Sequence, residues 1–317
     1  MRRRPPLVIG VLLLLGRAVL GQGQELYDPD FDTTVARPAY AKTHPVVLFD
    51  DAHANYHTSA GRYKPFVDLI TADGYRVVPN NQRFSGKTLK AVRILVISNA
   101  LGPGALNERE WTKEWINAGA QPAFTEEECD AVRDWVRAGG SLLLVADHRP
   151  FGSAAENLAS RFGVEMSKGY AFDKVNSYKE MNNPGIIVYT RENGTLTNHA
   201  IIRGRDATEQ INRVIAFVGQ SLKGPAESAA FLRLADSAID RESLLESAKE
   251  VPAAGRVQGL GMKFGSGRVV VLAEAAMLSA QSWTGPKGTT KAGMNVPDID
   301  NRQLCLNIMH WLSRLLD

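Results

Sequence analysis

The chain has 317 residues, 44% of them hydrophobic and 22% charged, with a formal net charge of +3. Four positive charges, Arg2, Arg3, Arg4 and Arg17, fall in the first 21 residues, which hold no acid, so the remainder carries about −1. That remainder has no basic footprint for a nucleic acid, and a chain this long can bury a sufficient core without relying on its two cysteines as staples.

Residues 1–21 join a charged start to a short apolar run, interrupted by Arg17 and followed by small residues at Gly21 and Gly23. These are the three parts of a secretory signal peptide, and the apolar run is short for a bilayer span of about 20 residues. Export to the periplasm or the extracellular space is therefore expected, with no membrane attachment after cleavage; an uncleaved anchor is the alternative. Residues 22–44 are polar and contain Pro29 and Pro38, as an extended lead-in would. From 45 to 317 one α/β domain is expected.

Within it, short apolar runs at 46–49, 75–78, 94–97, 142–146 and 269–273 suit a parallel sheet covered on both faces. Between them the spacing predicts helices. Phe66, Leu69 and Ile70 share one face, ended by Gly74 as a left-handed residue. Thr125 and Glu128 form a capping-box pattern before Cys129, Val132 and Val136, closed by Gly139 and Gly140. The region 165–265 reads as a strand-rich elaboration, with strand-like pieces at 185–189, 211–217 and 230–234. Gly265-Ser-Gly267 predicts a hairpin between 257–264 and 268–273. Asp300 opens a last helix with Leu304, Ile308, Trp311, Leu312 and Leu315 on one stripe. Strand–helix alternation of this kind predicts a doubly wound, mostly parallel, flavodoxin-like sheet. Cys129 and Cys305 fall inside predicted helices; buried free thiols and, in an oxidising compartment, a bridge between them are both open readings, because the sequence does not place the two side chains within bonding distance.

Several chemistries fail on their motifs. Ser85-Gly-Lys-Thr88 lacks the early glycine of a phosphate-binding loop, whose place is taken by Asn81, and reads as a surface turn. Gly219-Gln-Ser-Leu-Lys223 lacks the second glycine of a nucleophile elbow. What remains is a distribution, since open parallel sheets bind ligands at the carboxyl ends of their strands. Asp50, Asp51 and His53 follow the first strand, with His57 four residues beyond His53. Ser98 and Asn99 follow the third, Asp147-His148-Arg149 the fourth and Glu274 the last, while the stretch at His199 could fold over the same edge. A divalent metal on His53, His57 and His148, a metal-free polar pocket, and purely structural caps are all open readings of that pattern. No cofactor is otherwise implied.

Gly139-Gly-Ser-Leu-Leu-Leu-Val-Ala-Asp-His-Arg-Pro150, with 154–158, 198–204, 217–222, Ala273-Glu-Ala-Ala-Met277, Gln281 and 301–312, resembles a family of exported bacterial proteins of unknown function with a class I glutamine amidotransferase-like fold. More distantly it is similar to gliding-motility and intraflagellar-transport domains and to trehalose-utilisation-like proteins. The superfamily's enzymes carry a Cys on an elbow after a central strand. Here the matching elbow reads Asp147-His148-Arg149 and the late strand ends in Glu274, so amidotransferase chemistry lacks its thiolate. The expectation is a ligand-binding protein recognising a sugar or envelope polymer, with Asp51, His53, His57, Asn99, Arg149, His199 and Gln281 as binding residues. The alternatives are a hydrolase using Asp147, His148 and Glu274, and a non-catalytic scaffold of an envelope assembly. The oligomeric state has no signature in the sequence.

Overall fold

The computed structural model describes residues 27–106, 110–243, 247–285 and 288–317; the expected signal peptide lies outside them. Among the described residues no helix is long and apolar enough to cross a membrane. The chain enters at β1 (Val46–Asp50), α1 (Lys64–Ala72), β2 (Arg76–Asn80) and β3 (Ile94–Ser98). It continues through α2 (Lys113–Ala118), α3 (Glu126–Arg137), β4 (Ser141–Val145) and α4 (Phe151–Ser160). The middle holds β5 (Glu165–Met166), β6 (Tyr170–Phe172), β7 (Ile186–Thr190), α5 (Ala200–Arg203) and β8 (Arg213–Phe217). Then follow β9 (Leu222–Lys223), β10 (Ala229–Arg233), β11 (Ile239–Arg241) and β12 (Glu250–Pro252). The last part is β13 (Val257–Phe264), β14 (Gly267–Leu272), β15 (Ala280–Gly285), β16 (Gly288–Gly293) and α6 (Asn301–Leu312).

The main sheet runs β2–β1–β3–β4–β14–β13–β9–β5, with β10 also paired to β13. The first five strands are parallel, and everything from β13 outward is antiparallel. Strand order reverses between β1 and β3, the switch point of a flavodoxin-like sheet. Because β2 and β4 lie on opposite sides of it, right-handed crossovers put α1 and α3 on opposite faces. The core divides accordingly. Phe66, Leu69 and Ile70 of α1 pack with Leu304 and Ile308 of α6 on one face. Cys129, Val132 and Val136 of α3 pack with Ala154 and Leu158 of α4 on the other. Covered on both sides, β3 and β4 are buried at every residue, which is why their sequences are continuously apolar. The fold is thus an α/β, mostly parallel sheet with a strand-rich extension.

Local signals behave as their chemistry requires. The Thr125 side chain and Glu128 close a reciprocal capping box on α3. Gly74 follows the end of α1 at φ +98°, where a Cβ would fall 2.0 Å from the Tyr40 carbonyl oxygen. In the Ser85–Thr88 turn each hydroxyl accepts the other residue's N–H, at 2.8 and 3.2 Å, so its polar groups serve the turn itself.

The middle region is the strand-rich elaboration expected: β5, β9, β10 and β13 extend the main sheet while β6, β11 and β12, and β7 with β8, form smaller ones. Two expectations change. The last helix is buried around its whole circumference from Leu304 to Leu312, because sheet, α1 and α5 enclose it, so its polar groups need internal partners. Asn301 bonds to Ile215, Asn307 to Ile201 and Glu209, and His310 to Asp73. Leu315 lies beyond that helix and is exposed. The Asp300 side chain does not cap α6; its Oδ2 accepts the N–H groups of Asn212 and Arg213 at 2.7 and 2.9 Å. The lead-in has no regular structure but packs Phe31, Val35 and Tyr40 against the core.

Candidate functional site

Strand register brings the two key carboxyls together. Leu272 of β14 is the partner of Val145 in β4, so two residues further on, past the ends of both parallel strands, Glu274 stands beside Asp147. Both are buried, Glu274 completely and Asp147 to 9% exposure. The Glu274 oxygens accept the N–H groups of Ala276 at 2.6 Å and Met277 at 2.9 Å. Burial and then the charge of Asp147 push Glu274 well above the carboxylate range. Burial also pushes Asp147 up to about 7, against N–H donors from His148 and Ala275 and the Asn99 side chain. Two carboxyls this close cannot both ionise cheaply, so the pair holds a proton near neutral pH.

His148 completes the pair. Its Nδ1 lies 2.6 Å from the Arg149 carbonyl oxygen, which can only accept, so Nδ1 carries the proton and Nε2 keeps a lone pair. Nε2 is 4.0 Å from Asp147 Oδ1. Burial lowers the ring to about 4, leaving it neutral at pH 7. A proton-holding carboxyl and a neutral imidazole acceptor are therefore adjacent, and together they can orient a hydroxyl or pass a proton.

The neighbouring strand end adds Asn99, whose Oδ1 accepts the Asp147 N–H at 2.9 Å. Behind it Ser98 Oγ lies 3.3 Å from His57 Nδ1, and Tyr63 donates to the Ala275 carbonyl at 2.7 Å. His57 stacks on Tyr63 at 4.8 Å, and burial, then the charge of Arg62, holds it well below the usual histidine range. Towards solvent the edge is aromatic. Tyr56 packs against Trp111 and Phe151 at 5.2 and 5.5 Å, Trp111 stacks on Trp115, and Tyr170 covers the His148 ring at 4.4 Å. The Arg62 guanidinium sits 4.0 Å over the Tyr56 ring.

Other sequence-chosen residues lie apart from this cluster. His53 is a buried tie: Nδ1 is 2.8 Å from Asp50 and Nε2 is 3.0 Å from Glu128, with its ring between Phe84 and Phe124. Burial opposes its charge, but Asp50 and Glu128 outweigh it and raise the pKa. With both nitrogens committed, His53 has no lone pair for a ligand. Asp51 spends its oxygens on the Ser59 N–H and hydroxyl. His199 does not fold over the edge; it caps α5 and packs on Phe231 and Trp311. Gln281 donates to the Ser279 hydroxyl at the start of β15. Arg149 stays at the site through its carbonyl. His53, His57 and His148 do not converge, and no group of three metal-capable side chains occurs among the described residues. Cavities of about 370 and 450 Å³ lie elsewhere, one lined by Asp28, Lys291, Asn295 and Arg302, the other by Tyr40, His44 and Arg93.

Asp147 is not among the left-handed residues; the left-handed turn after a central strand is at Asn99, φ +46°. The sequence missed one buttress. Gln220 is fully buried, and its amide donates to the Ala146 and Asp147 carbonyls at 2.9 Å each while accepting the Lys168 N–H at 2.8 Å. A Cβ on Gly152 would meet that amide at 2.5 Å. The small residue opposite a buried glutamine was the only sequence signal.

No family model and no curated protein matches the chain. Solved structures do. The IFT52 N-terminal domain aligns at 13% identity and a TM-score of 0.58, over 84% of this chain and 97% of that one. A protein described as a GMP synthase component, from Thermoplasma acidophilum, aligns at 12% identity, covering 87% and 97%, with a TM-score of 0.41. A ThuA-like protein from Bacteroides uniformis aligns at 10%, covering 86% and 93%, with a TM-score of 0.40. At such identities it is the fold that is shared, and the chain has the α/β architecture of the IFT52 N-terminal domain.

Proposed function

We propose that this is an exported ligand-binding protein that recognises a sugar or envelope polymer at the carboxyl edge of its sheet, without amidotransferase chemistry. One observation carries the reading: beside the Asp147–Glu274 pair, the His148 ring packs against Tyr170 and Phe151, and Phe151 joins it to the Tyr56 and Trp111 rings. Aromatic faces beside a few fixed polar groups are the make-up of a small-ligand site, and both cysteines are buried thiols. Titration of the purified chain with neutral oligosaccharides, followed by tryptophan fluorescence, tests this. Binding by the parent should weaken roughly tenfold in Trp111→Ala, the loss of about 1.4 kcal/mol of stacking. No response to any sugar, or equal affinity in the variant, removes the proposal.

A hydrolase is the second reading, favoured by Asp147 at about 7 beside an imidazole with a free lone pair. General acids and bases work best when poised near the operating pH. A screen of ester, amide and glycoside substrates should find turnover that falls by at least about 100-fold in Asp147→Asn and Glu274→Gln. Equal rates in parent and variants dismiss it.

A further inference from the structure

At the amino edge of the parallel strands, opposite the site above, lies an open cleft of about 450 Å³ lined by Tyr40, Thr43, His44, Arg93 and Ser313. Its walls are fixed by the fold. Arg93 stands just before β3, where its N–H donates to the Val46 carbonyl and its own carbonyl accepts the Ser141 N–H. Tyr40, Thr43 and His44 come from the lead-in, which is tied to the end of α1. There the Tyr40 N–H donates to the Asp73 carbonyl, and His44 Nδ1 lies 2.8 Å from the Gly74 carbonyl oxygen. The Tyr40 ring packs edge-on against Tyr75 at 5.2 Å. The Ser313 hydroxyl is spent, since it donates to the His310 carbonyl and meets the Tyr75 hydroxyl at 2.8 Å.

Within these walls the Arg93 guanidinium has no hydrogen-bonding or ionic partner among the described residues. Other half-buried arginines do: Arg161, Arg205, Arg241 and Arg256 each rest on a carboxylate. No acid lines the cleft, and the charged groups that bear on Arg93 are two more arginines, Arg314 and Arg268. Arg314 is held by the Gly139 and Ser266 carbonyls, while Arg268 takes the Asp317 carboxylate for itself. Burial first, and then the Arg314 charge, hold Arg93 below the usual arginine range, with Tyr40 opposing them and Arg268 adding to them. A part-desolvated cation beside two others, with no counter-charge, is a place that an anion stabilises. The donors say which anion. A guanidinium fork gives parallel N–H bonds to two oxygens and so satisfies a planar carboxylate alone. The Tyr40 and Thr43 hydroxyls also line the cleft and make no internal hydrogen bond. Each has a proton to donate, and only a tetrahedral oxyanion has further oxygens to receive them.

We propose that this cleft is a phosphate-binding site, in which the Arg93 guanidinium takes two phosphate oxygens and the Tyr40 and Thr43 hydroxyls donate to the others. It is separate from the carboxyl edge and does not depend on what binds there. The cleft admits both inorganic phosphate and a phosphate carried by a larger molecule, and the experiment tells these two sources apart.

The test compares the parent with Arg93→Gln and with Tyr40→Phe, which keeps the ring packing and removes only the hydroxyl. Melting temperature and calorimetric affinity are measured in inorganic phosphate, glycerol 3-phosphate, acetate, and sodium chloride at matched ionic strength. Without an added oxyanion, Arg93→Gln should melt with the parent or above it, because it removes an unpaired charge beside two like ones. Phosphate at roughly ten times its dissociation constant should raise the parent's melting temperature by about 3 °C or more over chloride. The same phosphate should leave Arg93→Gln unmoved and bind Tyr40→Phe about threefold or more weakly. Tighter binding of glycerol 3-phosphate than of inorganic phosphate supports the site and assigns it to a phosphorylated molecule; equal or weaker binding supports it as a site for the free ion. A parent stabilised no more by phosphate than by chloride overturns the proposal, as does an equal shift in Arg93→Gln. Acetate bound as tightly as phosphate overturns it too. A fall of about 5 °C or more in Arg93→Gln without an added oxyanion makes Arg93 a structural element and likewise overturns it.

Discussion

Asp147 has a pH consequence that can be measured without a ligand. Its folded pKa is about 7, against 3.8 for an ordinary aspartate. Below about pH 4 it is protonated whether folded or unfolded, and nothing is lost. Between about 4 and 7 the folded form holds a proton that the unfolded form has released, so stability falls as pH rises through that window. Asparagine has the same shape and no charge to bury. Asp147→Asn should therefore be more stable than the parent by about 1–3 kcal/mol at pH 8, with the gap closing towards pH 4. His57, His148 and His199 are all held low by burial and act in the opposite sense, losing stability as the pH falls. Only the difference between variant and parent isolates Asp147. Thermal melts of both at pH 5 and pH 8 check it, and a gap independent of pH would show that the carboxyl is not strained by burial.

At the scale of elements, the site is held by packing between α4 and the strand end before β9. Gly152, in the first turn of α4, lies against the Gln220 amide, which in turn holds the Ala146 and Asp147 carbonyls. Gly152→Ala should push Gln220 out of place and cost about 1–3 kcal/mol as overpacking, despite the better helix propensity of alanine. Chemical denaturation measures that cost, and an unchanged or raised midpoint would mean the glutamine moves freely. The capping box on α3 shows how much of an element is written locally, since Thr125 and Glu128 are three residues apart. The same Glu128 also receives His53 and the Phe84 N–H. That second role was illegible, because it joins residues 75 positions apart in the chain. His53 looked like a ligand for the same reason: a histidine after a strand has one appearance in sequence, whether its nitrogens are committed or not.

Over the whole molecule, the two faces of the sheet keep the cysteines apart. Cys129 packs with α4 on one face and Cys305 with α1 on the other, and both are free and buried. Burial pushes the Cys129 thiol up to about 12 and Cys305 higher still, so neither forms the reactive thiolate at neutral pH. A disulfide-forming thiol reagent should find no reactive group in the folded chain and two in guanidinium chloride. Rapid labelling of the native protein would contradict the packing. Export would place the chain in an oxidising compartment, where such protection keeps the core intact.

What the sequence alone determined was whatever depends on neighbours in the chain: the buried strand runs, the capping box, the glycine ends, the hairpin at Gly265 and the α/β alternation. It also gathered the candidate residues at one sheet edge, since that edge follows from strand direction. The tertiary structure decided which of those residues meet. Register across β4 and β14 put Asp147 beside Glu274, and the left-handed bend at Asn99 turned an amide to the same point. His53, Asp51 and His199 were drawn away into structural contacts. Periodicity reports which face a side chain takes, whereas convergence depends on strand pairing and loop paths over long separations, and no local pattern encodes those distances.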